Sequence, residues 1–288
     1  ISGSEGVFHT ACPVLPGKLS DPEIGHLIQS RTHGTDMNFA LMSIAQNEMV
    51  APAVDGTLNV LKACSEAKVG RVILVSSTVA VAVNPNWPKD QIMDENCWSD
   101  KEFCKNSEKW YCFAKTIAEE KALNYGREAR LDIVSVCPCL VLGPMLQPTV
   151  NASSFGLIQT LKGLLDPMEN MFLHLVDVRD VADALLLAYE KPEAAGRYIC
   201  CSHGIKLHNF VDKLRNMYPN FKYRTTFIEV EELDNRLSSE KLKKLGWKER
   251  TLDECIADSV EHLIKTGGKR RKAWKLKAVW AKKMTQMI

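Results

Sequence analysis

No apolar run in the 288-residue chain approaches the roughly 20 residues of a bilayer-spanning helix, which excludes a transmembrane protein. Ten cysteines are too few in a chain this long for a disulfide scaffold, and none forms a Cys-x-x-Cys, which argues against a zinc ribbon or other metal site. They read as reduced, partly buried thiols of a cytoplasmic protein, with Cys200–Cys201 and the Cys137/Cys139 alternation as strand residues. Internal repeats and low-complexity stretches are missing. Acidic residues stop at Glu261, whereas nine of the 37 Lys+Arg follow it. Elsewhere 28 basic residues face 35 acidic ones, so the body carries −7 and does not suit nucleic acid.

What remains is an ordinary globular composition, 45% hydrophobic and 25% charged, long enough for one large domain or two coupled ones. Gly6 to Cys12 reads as a strand. Asn47 to Lys68 places Met49, Val54, Leu58, Leu61 and Cys64 at helical spacing, with Pro52 near its start and Gly70 as its stop. Arg71 to Ser77 and Leu131 to Cys137 are apolar runs without alternation, as in strands buried on both faces of a parallel sheet. Tyr111 to Arg130, rich in Ala, Glu, Lys and Leu, reads as the helix between them. This alternation predicts a doubly wound α/β sheet, whose chemistry gathers beyond the carboxyl ends of its strands. Thr10–Cys12, Ser76–Ser77 and Pro138–Val141 all fall there. Further on, Val178 to Lys191 reads as a helix capped by Asp177, Arg197 to Cys201 as a strand, and Leu207 to Tyr218 and Ser238 to Leu245 as helices. Thr251–Glu254 is a capping box opening a helix that Gly267–Gly268 ends. These elements form a smaller C-terminal α/β lobe.

Tyr111 and Lys115, four apart at the start of a helix, share one face. An ammonium there lowers the phenol's pKa from about 10 toward the working range of a general acid or base. Ser77, at a strand end, supplies a hydroxyl for a substrate carbonyl. Tyr-x-x-x-Lys alone is equally a helix-surface pair, but its coupling to a strand-end Ser-Ser favours a catalytic set.

Several motifs in order carry a closer likeness. Ser76–Ser77 after its buried strand, Asp94-Glu-Asn-Cys-Trp-Ser-Asp100, Glu102-Phe-Cys-Lys105, Lys109-Trp-Tyr-Cys-Phe-Ala-Lys115 and Val141-Leu-Gly-Pro-Met-Leu-Gln-Pro-Thr149 resemble the cinnamoyl-CoA reductase family. This is a plant branch of the extended short-chain dehydrogenase/reductases, related to the dihydroflavonol reductases. The resemblance implies a Rossmann-type fold and NADPH-dependent reduction of a hydroxycinnamoyl-CoA or related carbonyl in phenylpropanoid metabolism. It implies that Tyr111 protonates the oxyanion, Lys115 lowers its pKa and binds the nicotinamide ribose, and Ser77 orients the carbonyl. By the same match Thr10, Ala11, Cys12, Tyr111, Lys115, Pro138, Cys139, Leu140, Val141 and Ser153 contact the NADP(H) cofactor. A plain strand-to-loop exit is the other reading of Pro138 to Val141, and Asn151 only shapes its loop. The family's helix commonly begins Asn-Trp-Tyr-Cys-Tyr-Gly-Lys. Changes here at Lys109, Phe113 and Ala114 keep the reductase chemistry but put the lignin-pathway substrate in question, leaving a dihydroflavonol, ketone or aldehyde as the alternative. The resemblance also pairs Cys104 with Cys112 as a redox-sensitive disulfide; two ordinary thiols is the plainer reading. His9 and His174 read as hydrogen-bonded structural residues.

Three stretches depart from that pattern. None of the 16 glycines forms a Gly-x-Gly, so the pyrophosphate-binding turn of a dinucleotide fold is missing. The chain is therefore expected to begin inside the family's fourth strand, lacking two βα units, on the order of 60–80 residues. A catalytically inactive product is the corresponding alternative. Residues 24–46 read as an atypical insertion. Leu276, Trp280, Met284 and Ile288 make an apolar stripe on a basic tail, suited to a membrane surface or a partner groove, or simply a frayed extension. The expected division is an incomplete NADP-binding domain over 1–145, a substrate lobe over 146–268 whose 178–191 helix returns to the sheet, and the tail over 269–288.

Overall fold

The computed structural model describes residues 1–12, 46–88, 91–164, 167–224, 226–230 and 236–267. The expected insertion, except its last residue, and the tail lie outside the described residues. Among the described residues, four parallel strands form the main sheet in the order β1 (Gly6–His9), β2 (Arg71–Val75), β3 (Asp132–Pro138), β7 (Gly196–Cys200). Ile73 lies opposite Val134 and Val134 opposite Gly196, so β3 is enclosed on both sides.

The two faces of β2 explain its unbroken apolar run. Val72 and Leu74 pack with Ile133 against Leu61 of α1 (Ala51–Glu66) and Ala122 of α3 (Trp110–Ala129). Ile73, Val134 and Val136 turn the other way, onto Ala184 and Ala188 of α5 (Val178–Glu190). Each such aliphatic side chain, fully buried, contributes roughly 1.5–3 kcal/mol. The doubly wound expectation is met. α3 sits close to the sheet because of Gly126, where a Cβ would lie 2.9 Å from Ile133 Cδ1 and 3.0 Å from the Leu131 carbonyl oxygen. Arg71 fixes the opposite layer: it bonds Asp132 at 2.7 Å and donates to the Ala188, Tyr189 and Lys191 carbonyls at the end of α5.

Two local readings are corrected. The helix over 51–66 follows a π-helical turn, Gln46–Val50, and is ended by Lys68 in the left-handed region at φ 54°, not by Gly70. Cys139 and Cys201 lie just past strand ends rather than within strands. The chain leaves the main sheet after Pro138, with Cys139 N still donating to the Cys200 carbonyl at 3.2 Å, and re-forms as β4 (Leu140–Leu142) in a second sheet. There β4 runs parallel to β6 (Phe172–Asp177), and β6 antiparallel to β8 (His203–Lys206). A two-stranded pair, β5 (Met168–Glu169) with β9 (Phe227–Ile228), completes the strands.

The C-terminal elements bury their own core: Leu157 and Leu161 of α4 (Ala152–Leu161), Phe210 and Leu214 of α6 (Leu207–Met217), and Ile256 and Val260 of α8 (Leu252–Gly267). The remaining short helices are α2 (Lys101–Asn106) and α7 (Glu240–Lys244). α8 opens with the predicted capping box. Thr251 N donates to Glu254 Oε2 at 2.9 Å and Glu254 N to Thr251 Oγ1 at 3.3 Å. Thr251→Ala is expected to cost about 1 kcal/mol in urea unfolding, and an unchanged midpoint would contradict the cap's role. Asp177 caps α5 as expected, accepting from Arg179 N. Burial alone would raise its carboxyl, but bonds from the Arg179 side chain and backbone outweigh it and hold the pKa below its ordinary value.

Candidate active site

The carboxyl ends of β1, β2 and β3 meet the first turn of α3, and that meeting brings distant residues together. Ser77 follows β2 in extended backbone and caps the 3-10 turn Thr78–Ala80, accepting from Val79 N. Its hydroxyl lies 3.4 Å from the Pro138 carbonyl at the end of β3 and within hydrogen-bond reach of the Tyr111 phenol. One helical turn on, Lys115 is only 6% exposed, so its ammonium has left bulk water. It donates to the Val75 carbonyl at 2.9 Å and bonds the Cys12 thiol just beyond β1. Ser77, Tyr111 and Lys115 thus surround one strand-end junction, with Cys12 and Pro138 at its border.

The electrostatics differ from the spacing argument. Burial raises the Tyr111 pKa; the nearby Cys12 and Cys112 thiols add to this, and only the Ser77 hydroxyl opposes it. Lys115 does not govern the phenol because its ammonium is turned to the Val75 carbonyl. Tyr111 therefore stays protonated across the neutral range, the form that a proton donor needs. The sign follows directly: raising the pKa extends the acid form to higher pH. Turnover in the reductive direction should hold level through about pH 9 and fall only above the ordinary phenol value of about 10. A Tyr111-dependent decline between pH 7 and 8, read from kcat against pH in wild type and Tyr111→Phe, would restore the lowered-pKa picture.

Other expected residues are spread more widely. Thr10 and Ala11 follow β1 and are exposed. Cys139 is half-buried in the break between sheets, with Leu140 and Val141 on β4. Ser153 stands in the first turn of α4, and no hydrogen bond among the described residues links it to Ser77, Tyr111 or Lys115. Asn151 does shape its loop, as the N-cap of α4, accepting from Ser154 N at 2.9 Å. His9 donates to or accepts from Thr57 at 3.1 Å; burial, then Lys115, hold its pKa below the ordinary value, in keeping with a structural role. His174 packs edge-on to Phe172. Cys104 and Cys112 are both free, and burial pushes their thiols up to about 12 and about 11.

The spacing argument missed the group beneath this junction. Glu119, one further turn along the same face of α3, accepts from Ser76 at 2.7 Å, Ser135 at 2.6 Å and Arg197 at 2.9 Å. A stripe of Tyr111, Lys115 and Glu119 at intervals of four was the available signal. Arg197 lies 78 residues from Glu119 and could not be paired with it from spacing.

These residues fit the nicotinamide-ribose half of a dinucleotide. The buried Lys115 ammonium has no carboxylate partner among the described residues, and one carbonyl and one thiol leave a third N–H for a ribose hydroxyl. No glycine-rich turn follows a strand of the main sheet among the described residues, so they hold no pyrophosphate cradle. No helix among them is long and apolar enough to cross a membrane.

Comparison with known proteins gives the family. A family profile described as the NAD dependent epimerase/dehydratase family matches residues 42–201. Cinnamoyl-CoA reductase 1 of Petunia hybrida is 37% identical over 270 residues, spanning 93% of this chain and 73% of that protein. Vestitone reductase from alfalfa (Medicago sativa) superposes with a TM-score of 0.70 at 25% identity, over 92% of this chain and 77% of that one. Yeast methylglyoxal/isovaleraldehyde reductase Gre2, complexed with NADPH, also gives 0.70, at 26% identity over 92% and 78%. The chain belongs to the NAD dependent epimerase/dehydratase family and is an oxidoreductase homologous to the plant cinnamoyl-CoA reductases.

Proposed function

We propose that this chain reduces the carbonyl of a phenylpropanoid-type CoA thioester with NADPH, and that Ser77, Tyr111 and Lys115 carry the reaction. The observation behind this is the junction itself: a protonated, buried phenol within hydrogen-bond reach of a strand-end hydroxyl, one helical turn from a buried ammonium. Bound there, the reduced nicotinamide supplies hydride to the carbonyl carbon. Lys115 holds the ribose through its free N–H, and the Val75 carbonyl and Cys12 thiol fix the ammonium's direction. Ser77 donates to the carbonyl oxygen and orients it. Tyr111 gives its proton to that oxygen as negative charge develops: the phenol O–H breaks and a substrate O–H forms. From a thioester the resulting hemithioacetal expels CoA as thiol and leaves an aldehyde. Cinnamoyl-CoA reductases, at 37% identity, support the thioester, and a likeness to an NADPH-complexed reductase supports the cofactor.

A second reading is reduction of a ketone, such as a dihydroflavonol. It is favoured by the changes at Lys109, Phe113 and Ala114 around the Tyr/Lys pair, beside the likeness to vestitone reductase. Purified protein incubated with NADPH and cinnamoyl-CoA esters, hydroxycinnamaldehydes or dihydroflavonols separates the two. Cofactor consumption with release of free CoA thiol is expected. Consumption confined to dihydroflavonols would replace the thioester reading. A folded chain that binds no NADPH by calorimetry would remove both.

A further inference from the structure

Glu119 is 1% exposed, yet both its oxygens are fully engaged. Oε2 accepts from Ser76 at 2.7 Å and Arg197 Nη2 at 3.2 Å. Oε1 accepts from Ser135 at 2.6 Å, Arg197 Nε at 2.9 Å and the Cys137 thiol at 3.3 Å. One carboxylate therefore ties α3 to the end of β2, to β3 and to β7. Arg197, 6% exposed, extends the tie: it donates to the carbonyls of Ala80 at 3.3 Å, Glu95 at 3.0 Å and Cys97 at 2.7 Å. Its guanidinium stacks 3.5 Å from the Trp98 ring centroid.

What this network grips is informative. Ser76 directly precedes Ser77, and Ala80 closes the 3-10 turn that Ser77 caps. Glu119 stands one turn from Lys115 and two from Tyr111 on the same helix. The network thus holds Ser77 from both flanks and holds the helix carrying the other two groups. The bonded hydroxyls, thiol and guanidinium come from β3, β7 and the residue that follows β2, so α3 cannot slide along the sheet without breaking several bonds at once.

We propose that Glu119 is the positioning residue of the reducing site, setting Tyr111 and Lys115 against Ser77 through Ser76 and Arg197. The proposal rests on the reading of those three residues as the site. Glu119 acts through its neighbours and touches no reacting atom. Small displacements at a reacting centre are costly, so a loosened tie lowers turnover while binding survives.

Ser76→Ala removes one bond and leaves the Glu119–Arg197 pair intact, so the variant is expected to fold. Its kcat per folded molecule should fall about ten-fold, with KM for NADPH and substrate within about two-fold of wild type. Ser76→Thr, which keeps a hydroxyl, should recover most of the loss. Val69→Ala, a buried change at the opposite end of β2, should lower thermal stability and leave kcat per folded molecule unchanged. Ionisation of Tyr111 gives a readout independent of turnover, followed by ultraviolet difference against Tyr111→Phe. In Ser76→Ala it should move down toward the ordinary phenol range as water reaches the loosened junction. Wild-type kcat per folded molecule together with a wild-type Tyr111 titration in Ser76→Ala would overturn the proposal. If the wild-type chain reduces no carbonyl, the functional reading fails, and the titration alone decides: a downward shift supports positioning by Glu119, and none overturns it.

Discussion

Replacing Tyr111 with Phe is expected to lower carbonyl reduction by about 10²–10⁴-fold, the range lost with a general acid. The ring is retained, and with it the packing beside Met49, Val54 and Ala114 between α1 and α3. Only the oxygen goes. No other described group at the junction replaces it. Two N–H groups of Lys115 serve the Val75 carbonyl and Cys12 while the third is assigned to the ribose. The Ser77 hydroxyl, released from its long contact with the Pro138 carbonyl, is assigned to orienting the substrate carbonyl. NADPH affinity should change little, because Lys115 is assigned the ribose and Tyr111 the proton. Single-turnover rates at saturating NADPH, beside calorimetric binding, separate the two effects. A variant that turns over like wild type would exclude Tyr111 as donor. One that loses NADPH binding instead would assign the phenol to the cofactor.

The largest effect on stability is expected at Arg197. Arg197→Met should cost about 3–5 kcal/mol, the usual penalty for removing one partner of a buried ion pair. The energy comes mostly from what is left behind. Glu119 would be left at 1% exposure with only two serine hydroxyls and a thiol for partners. The carbonyls of Glu95 and Cys97 would lose their donor, and Trp98 its stacked cation. The double replacement Arg197→Met with Glu119→Leu should be less destabilised than the single change, since no unpaired charge remains. Urea unfolding of the four proteins of this cycle measures the coupling. A cost below about 1 kcal/mol for Arg197→Met, the scale of an exposed pair, would show that the network is not a closed, desolvated tie.

How far the sequence disclosed this arrangement depends on whether a feature is local. β2 and β3 were legible because an apolar run lacking alternation demands cover on both faces, and the α1, α3 and α5 layers provide it. Tyr111 and Lys115 were legible because four residues make one helical turn. The Thr251–Glu254 box and the Asp177 cap were legible for the same reason: donor and acceptor lie within three residues. Non-local features were not. The Glu119–Arg197 pair spans 78 residues, and nothing in either neighbourhood names the other. The direction of the Tyr111 shift was misread because spacing gives the distance between a phenol and an amine along a helix, but neither the burial of the phenol nor the carbonyl to which the amine turns. The exit at Pro138 was legible, but not that Leu140–Leu142 re-forms at once as β4 in a second sheet, because its partner β6 is distant in sequence. At Lys68 a non-glycine residue took the left-handed turn, so the glycine two residues later misled.

The central claim is that this junction directs two-electron reduction of a carbonyl, with the Tyr111 proton completing it. Its most direct test is NADPH deuterated at the nicotinamide C4, incubated with wild-type protein and a cinnamoyl-CoA ester, with the products read by mass spectrometry and thiol assay. The account predicts deuterium on the former carbonyl carbon and release of CoA thiol, both nearly abolished in Tyr111→Phe. Wild-type protein that binds NADPH and the ester yet transfers no deuterium, or Tyr111→Phe that transfers it at the wild-type rate, would contradict it.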